Sequence, residues 1–408
     1  MSGGRDDVLH KVNRFITLQD EQVKKTNPLL REVLSSMMEL MKSVDPLFKE
    51  MYREPMFAGS FYKGTRVGKP EEFDLDLILD LPVYYNKIEF EDDRPGYARI
   101  RVPSSSFKPA WTTHQKILNK WILKPNNYLN NNCLRQWFEG VLAKVFRRLP
   151  GNSKGYSILQ IGPNRFVQIT SKKSGPAFTL LVIHDSGKFD IDLVPVFEFR
   201  SRPCLTVFQT VPHTYEPWYL VPKPLNKGNN PELSWRFCFY RYEKAWLSSH
   251  GKIKPIIRYL KKLKECQDWS SVLASYYIET LVYHELNAGS FDLHRSSLNG
   301  LLLCMLIKLS EACENHYIPY YWDPRNNLIA EKTPAQLASM KNYIKKIIKA
   351  VTNSPEDAII YFLTASERQI LAEAGPGLPT TPAPNESEES PSLLSGLINF
   401  FRSLLATG

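Results

Sequence analysis

In the run EFDLDL, Glu72, Asp74 and Asp76 alternate with Phe73, Leu75 and Leu77. Side chains alternate along a strand, so the three acids share one face and the three apolar residues the other. Carboxylates held that close repel: two unit charges 4 Å apart cost roughly 4 kcal/mol at an effective dielectric near 20. A hard divalent cation is the natural partner for such a face. A second acidic run, FDIDLVPVFEF, carries Asp190 and Asp192, and it completes a three-carboxylate site if the two strands are neighbours. Twelve residues before Glu72 stands the pair Gly59-Ser60, which offers a close-approach backbone and a hydroxyl suited to a triphosphate. Metals about 3.5–4 Å apart activate an attacking hydroxyl and stabilise a leaving pyrophosphate. A solvated face would also explain acids alternating on one strand. The Gly-Ser pair and the later acidic strand favour the metal site.

The elements that must carry these residues can be read from periodicity. From about Val8 to Val44 the pattern is helical, with Val33, Met37, Leu40, Met41 and Val44 forming one apolar stripe and Pro28, after Asn27, marking a boundary or kink. Between Phe57 and Pro82 the period changes to two. A second helical stretch is expected over Thr113 to Leu149, then strands near Phe166–Thr170, Phe178–His184 and Phe189–Phe199, with a hairpin turn at 184–187. After Pro212, Pro217, Pro222 and Pro224 the chain reads as helical to about Leu371. The expected class is α+β: a mixed sheet with helices, then a helical C-terminal lobe, divided as 1–225, 226–372 and 373–408. Residues 375–391, with five prolines and an acidic run, read as a disordered linker. The closing SLLSGLINFFRSLLATG places Leu393, Leu394, Leu397, Ile398, Phe401, Leu404 and Leu405 on one helical face, suited to docking on a partner or a membrane surface.

The 408 residues are 43% hydrophobic and 23% charged, the balance of a globular protein. The formal net charge of +10 asks for an anionic partner. Six scattered cysteines form no CxxC pair, so neither a zinc ribbon nor a disulfide framework is expected. No signal peptide or apolar span of roughly 18 residues is present, which points to a cytoplasmic location.

The order Gly-Ser, spacer, acid-apolar-acid strand, later acid resembles the DNA-polymerase-β-like nucleotidyltransferases. More narrowly, AGSFYKGTRVGKPEEFDLDL is similar to the active-site strand of cyclic GMP–AMP synthase (cGAS) and the animal cGAS-like receptors. That resemblance implies Glu72, Asp74 and Asp192 as ligands of two Mg²⁺ ions, with Mn²⁺ a substitute. It implies Ser60, beside Gly59, as the phosphate-binding serine, and leaves Asp76 and Asp190 as neighbours of the metal ligands. It extends to SWRFCFYRYEKAWLSSHGKIKPIIRYLKKL, where it implies that Arg236 contacts the acceptor nucleotide, that Glu243 sits nearby and that Arg258 faces the donor phosphates. In SYYIETLVYH it implies that Ser275 and Tyr276 match a serine and a base-stacking tyrosine. The active site would lie in the cleft between sheet and lobe.

One departure matters. Vertebrate cGAS has a His-Cys-Cys-Cys zinc insertion after the first of these segments; here His250 stands without cysteines and zinc is not expected. The implied product is a cyclic dinucleotide made from ATP and GTP as an immune second messenger. The implied activator is double-stranded RNA, with oligomerisation on it. Lys252, Lys254, Lys261 and Lys262, and on a later helix Lys341 and Lys345, are the candidate nucleic-acid contacts. Linear oligoadenylate synthesis or terminal nucleotide addition, and a catalytically silent scaffold, are the alternatives.

Overall fold

The computed structural model describes residues 3–17, 20–68, 71–174, 177–185, 187–200, 216–223, 225, 229–289, 293 and 295–373. The linker and tail expected over 375–408 lie outside them, as does Pro212 and the rest of 201–215. Two compact units are present, Met1–Phe362 and Leu363–Gly408; of the second, the helix Ala365–Glu373 is described.

Apolar residues at spacings of three and four build the helix Asp20–Val44, whose Val33, Leu34, Met37, Met38 and Met41 are buried. Pro28 lies inside this helix, and the break comes earlier, around Thr17, after a separate helix Gly3–Ile16. Pro28 stands eight residues after Asp20, so its missing N–H costs one intrahelical hydrogen bond, and the buried apolar stripe beyond it carries the helix through. The expected helix over Thr113–Leu149 is also divided. Pro125 and the left-handed Asn127 interrupt it with two short strands, and the long helix begins at Asn131, capped by the Asn130 side chain. This helix packs on Asp20–Val44.

The sheet has twelve strands among the described residues. The acidic strand Glu72–Leu79 runs antiparallel to Tyr52–Phe57 on one side and parallel to Gly187–Phe199 on the other. Gly187–Phe199 continues antiparallel into Ala177–His184, then Arg165–Ser174 and Ser157–Gly162, and its far end pairs with Trp218–Val221. The expected turn at 184–187 is present, with His184 opposite Gly187. The core-facing side of the acidic strand is fully covered: Phe73, Leu75 and Leu77 are each 0% exposed. Phe73 meets Phe61 and Phe189 edge-on, at 5.2 and 5.6 Å between ring centroids.

The segment expected to be helical from the prolines to Leu371 first forms a strand, Trp235–Cys238, which closes against Trp218–Val221 and Tyr97–Arg101. The helices Tyr240–Ser249, Lys254–Cys266, Ser275–Asn287, Leu298–Glu314 and Pro334–Asn353 follow, with one hairpin, Pro319–Tyr320 and Asp323–Asn327, among them. The N-terminal helix packs on this lobe, where the Tyr259 hydroxyl donates to the Leu9 carbonyl. Truncation of Phe73 to alanine should cost about 3–5 kcal/mol in denaturant unfolding, the usual range for a buried aromatic. A loss below ~1 kcal/mol would contradict the packing described for the acidic strand.

Candidate active site

Parallel pairing over eight residues brings the acidic strands into register: Asp190 opposite Glu72, Asp192 opposite Asp74, and Val194 opposite Asp76. One oxygen from each of Glu72, Asp74 and Asp192 lies within 4.8 Å of the others. The Thr179 hydroxyl, from the neighbouring strand, donates to Asp192 Oδ1 at 2.5 Å and fixes that carboxylate. Burial, and then the charges of Glu72 and Asp192, push the Asp74 carboxyl up to about 6. Asp76 lies one step further along the strand, buried, and is pushed up to about 7 by burial and then by Asp74, with Arg236 opposing. Oxygen donors, close convergence and unrelieved negative charge make the donor set fit hard divalent cations.

The Gly59-Ser60 pair opens a short helix, Gly59–Lys63, that lies over this cluster. Gly59 has φ +73°, and a Cβ there would stand 1.8 Å from Asp74 Oδ2. The glycine is therefore required by the close approach of Asp74, a neighbour that sequence reading did not assign to it. The Ala58 N–H donates to the Asp74 carbonyl at 2.9 Å, which ties the turn to the strand at a second point.

The other end of this turn is held by charge. Lys63, 6% exposed, places its ammonium 2.7 Å from Glu243 Oε2 and 2.9 Å from Glu279 Oε2. Lys261 sits 2.6 Å from Glu279 Oε1 and donates to the Thr65 hydroxyl at 3.0 Å. The two lysines drive the Glu279 carboxyl down to about 2 against the opposing effect of burial, which is the largest single influence. Sequence reading missed Lys63 and Glu279. The available signal was a charge on an apolar helix face: Glu279 stands four before Tyr283, and Glu243 four before Leu247, both of them buried partners.

Several expected contacts take different places. Arg258 donates to the Gly64 carbonyl at 2.5 Å and to Asn13 Oδ1 at 3.0 Å, so its guanidinium braces the turn and the N-terminal helix. Glu243 accepts from Tyr276 at 2.7 Å and from the Trp322 indole at 2.9 Å. Ser275 accepts from Lys264 at 3.1 Å. Arg236 is paired in register with Tyr97, and its buried Nε has no hydrogen-bond partner. Tyr276 is half-buried, with its ring 6.0 Å from that of Tyr320. Lys223, another group sequence reading missed, is lowered to about 8 by the Arg236 charge and then by burial.

The basic cluster on Lys254–Cys266 is not a surface patch. Lys261 and Lys262 are buried at 4% and 8%, Lys261 because it neutralises Glu279. That burial corrects the expectation that Lys261 meets nucleic acid. Lys252 is exposed and Lys254 half-buried. On the later helix Lys345 is exposed, and Lys341 pairs with Glu314 at 3.3 Å.

Two sequence profiles match this chain: the Mab-21 protein nucleotidyltransferase domain over residues 61–249, and the Mab-21 protein HhH/H2TH-like domain over residues 252–346. A cyclic GMP–AMP synthase-like receptor of Microplitis demolitor is 44% identical over 369 residues, covering 90% of this chain and 69% of that protein. Those of Trichogramma pretiosum and Tribolium castaneum are 37% and 32% identical, covering 87% and 92% of this chain and 75% and 98% of theirs. The chain belongs to the cGAS-like receptor family. It is a nucleotidyltransferase with a polymerase-β-like core followed by a helical C-terminal lobe. The nucleotidyltransferase profile runs on to residue 249. Among the described residues no helix is long and apolar enough to cross a membrane.

Gly59→Ala should displace Asp74 and lower turnover by about 100-fold, as a misplacement near 1 Å does; turnover within threefold of the parent would contradict the close approach. Asp74 and Asp76 have folded pKa values above the ordinary 3.8, so each favours the folded state at low pH. That contribution is lost as pH rises from about 4 through 6 for Asp74 and 7 for Asp76. Added Mg²⁺ should therefore raise the melting temperature more at about pH 7.5 than at about pH 5, and Asp74→Asn should remove most of the difference. An equal Mg²⁺ effect at both pH values in the parent would count against the charge cluster.

Proposed function

We propose that this family member joins ATP and GTP into a cyclic GMP–AMP-type dinucleotide through a linear intermediate, releases two pyrophosphates, and is switched on by double-stranded RNA. The observation that carries the catalytic part is the parallel register that sets Asp192 beside Asp74, with Glu72 completing the cluster. These three residues would hold two Mg²⁺ ions, or Mn²⁺ in their place. When bound, the ions supply a lowered pKa for the attacking ribose hydroxyl and neutralise charge on the leaving group.

The remaining roles fall to the chain's own groups. Thr179 orients Asp192 through its hydroxyl. Gly59 allows the turn to lie against Asp74, and Ser60, the next residue of that turn, would hold a triphosphate oxygen with its hydroxyl. Tyr276 would stack on a base, and the Arg236 guanidinium would contact the acceptor nucleotide. Arg258 acts on the donor phosphates through the turn that it braces, and Glu243 through Tyr276. Ser275 is placed beside Lys264, at the start of the helix that carries Tyr276.

The names of the relatives, cyclic GMP–AMP synthase-like receptors, support the product class and activation by a ligand. The exposed lysines, Lys252 and Lys345 with Lys346 and Lys349, support an anionic duplex as that ligand. Oligomerisation on the duplex, action in the cytoplasm as an antiviral signal, docking of the 392–408 tail, and the division at 225/226 and 372/373 belong to the same reading.

Purified full-length protein incubated with ATP, GTP and Mg²⁺ should give a phosphatase-resistant dinucleotide with long duplex RNA and little without it. Asp74→Asn and Asp192→Asn should each lower the yield by at least about 100-fold, as expected for groups that carry the transition-state charge. Phosphatase-sensitive products would place the chain among linear oligonucleotide synthases. Yield unchanged in Asp74→Asn would refute the metal assignment.

A further inference from the structure

The turn that carries Gly59 and Ser60 and the ring of Tyr276 belong to different parts of the fold, yet one continuous chain of polar contacts joins them. Lys63 ends the turn helix and donates to Glu243 Oε2 at 2.7 Å. The other oxygen of Glu243, Oε1, accepts from the Tyr276 hydroxyl at 2.7 Å and from the Trp322 indole at 2.9 Å. Glu279, three residues after Tyr276 on the same helix, accepts from Lys63 at 2.9 Å and from Tyr283 at 3.3 Å. The Lys63 ammonium also lies over the rings of Tyr240, Tyr276 and Tyr283, at 5.4, 5.8 and 5.9 Å from their centroids. Both of its ion-pair partners are buried: Glu243 and Glu279 are each 4% exposed.

Such a group of desolvated charges has few alternative arrangements, because any displacement leaves a buried ion unpaired. A shift of the turn therefore moves Lys63, the Glu243 carboxylate that follows it and the phenol bound to that carboxylate. Replacing buried ions by apolar side chains of similar size is often neutral or favourable to stability. Stability alone is a weak reason for four buried charges here. A geometric linkage is a better one.

We propose that Lys63 and Glu243 are positioning residues that couple the Gly59–Lys63 turn to Tyr276, so that the phosphate-holding and base-stacking halves of the nucleotide site move as one body. The proposal deepens the functional reading above, since it takes Ser60 as the phosphate-holding group and Tyr276 as the stacking ring. It gives Glu243 a task through Tyr276 in place of direct contact with nucleotide. It also gives Lys63 a task, since its ammonium is paired with lobe carboxylates and not with the three clustered acids.

The test is a double-mutant cycle on full-length protein, reading pyrophosphate release with ATP, GTP, Mg²⁺ and duplex RNA, and ATP binding by equilibrium dialysis with Mg²⁺. Tyr276→Phe keeps the ring and removes only the hydroxyl; Lys63→Met removes the ammonium. Each should lower kcat/KM and weaken ATP binding, by about 10-fold and about 30-fold, with the combined variant no worse than Lys63→Met alone within threefold, since coupled contacts are not additive. Independent structural contributions would multiply toward roughly 300-fold and overturn the proposal. Parent-like constants in either single variant would also overturn it. If Lys63→Met does not fold, Glu243→Gln takes its place in the cycle, because it keeps the shape of Glu243 and one oxygen to accept from Tyr276 and Trp322, and sets an amide NH2, which cannot accept, against the Lys63 ammonium. Pyrophosphate release reads any nucleotidyl transfer, whatever the product. If the parent released none, the functional reading would fail, and the binding cycle would still decide the coupling.

Discussion

Four buried charges, Lys63 and Lys261 against Glu243 and Glu279, hold the working parts of this molecule in place. Each is too deeply placed to be solvated by water, so each is satisfied by another member of the group. The partners come from the turn after Tyr52–Phe57 and from three different lobe helices, Tyr240–Ser249, Lys254–Cys266 and Ser275–Asn287. The charge balance thus does what hydrophobic packing cannot do alone. It selects one orientation of the lobe helices around one turn. Arg258 adds a brace from the far side through the Gly64 carbonyl. With both ends pinned, the turn can lie against Asp74 at a distance that only glycine permits.

The carboxylate site depends on that arrangement and on strand order. Asp74 and Asp192 face each other because the acidic strands run parallel and in register. Their mutual repulsion is carried by the folded state as a raised Asp74 pKa, a cost that the chain's packing sustains and a divalent cation relieves. Membership of the cGAS-like receptor family is consistent with a nucleotidyltransferase organised this way. The site is a place where stability is given up for binding.

The sequence was most legible where local period and side-chain chemistry coincided. The alternation of Glu72, Asp74 and Asp76 with Phe73, Leu75 and Leu77 named both the strand and its two faces, and the structure has them so. The parallel pairing with Asp190–Phe197 cannot be read from either segment, because it joins stretches more than a hundred residues apart and leaves no mark in them. Short runs were ambiguous: Trp235–Cys238 is four residues of strand inside a stretch that reads as helix on both sides. Pro28 reads as a boundary or kink because it cannot donate a helical hydrogen bond, yet the burial of Leu30, Val33 and Leu34 beyond it carries the helix through. Buried charges were hardest. Lys261 and Lys262 sit in a run of basic residues that resembles a surface cluster, and only the carboxylate of Glu279, from another helix, explains why Lys261 is inside. The hint was its position four residues after the buried Ile257, on the apolar side of the helix.

The measurement that bears most directly on this account is an anomalous diffraction map of crystals of the full chain soaked in Mn²⁺ with a non-hydrolysable ATP analogue. Density is expected between Glu72, Asp74 and Asp192, bonded to oxygens of all three at about 2.0–2.2 Å, with a second ion about 3.5–4 Å away. A map with Mn²⁺ bound to the analogue but absent from these three carboxylates would contradict it.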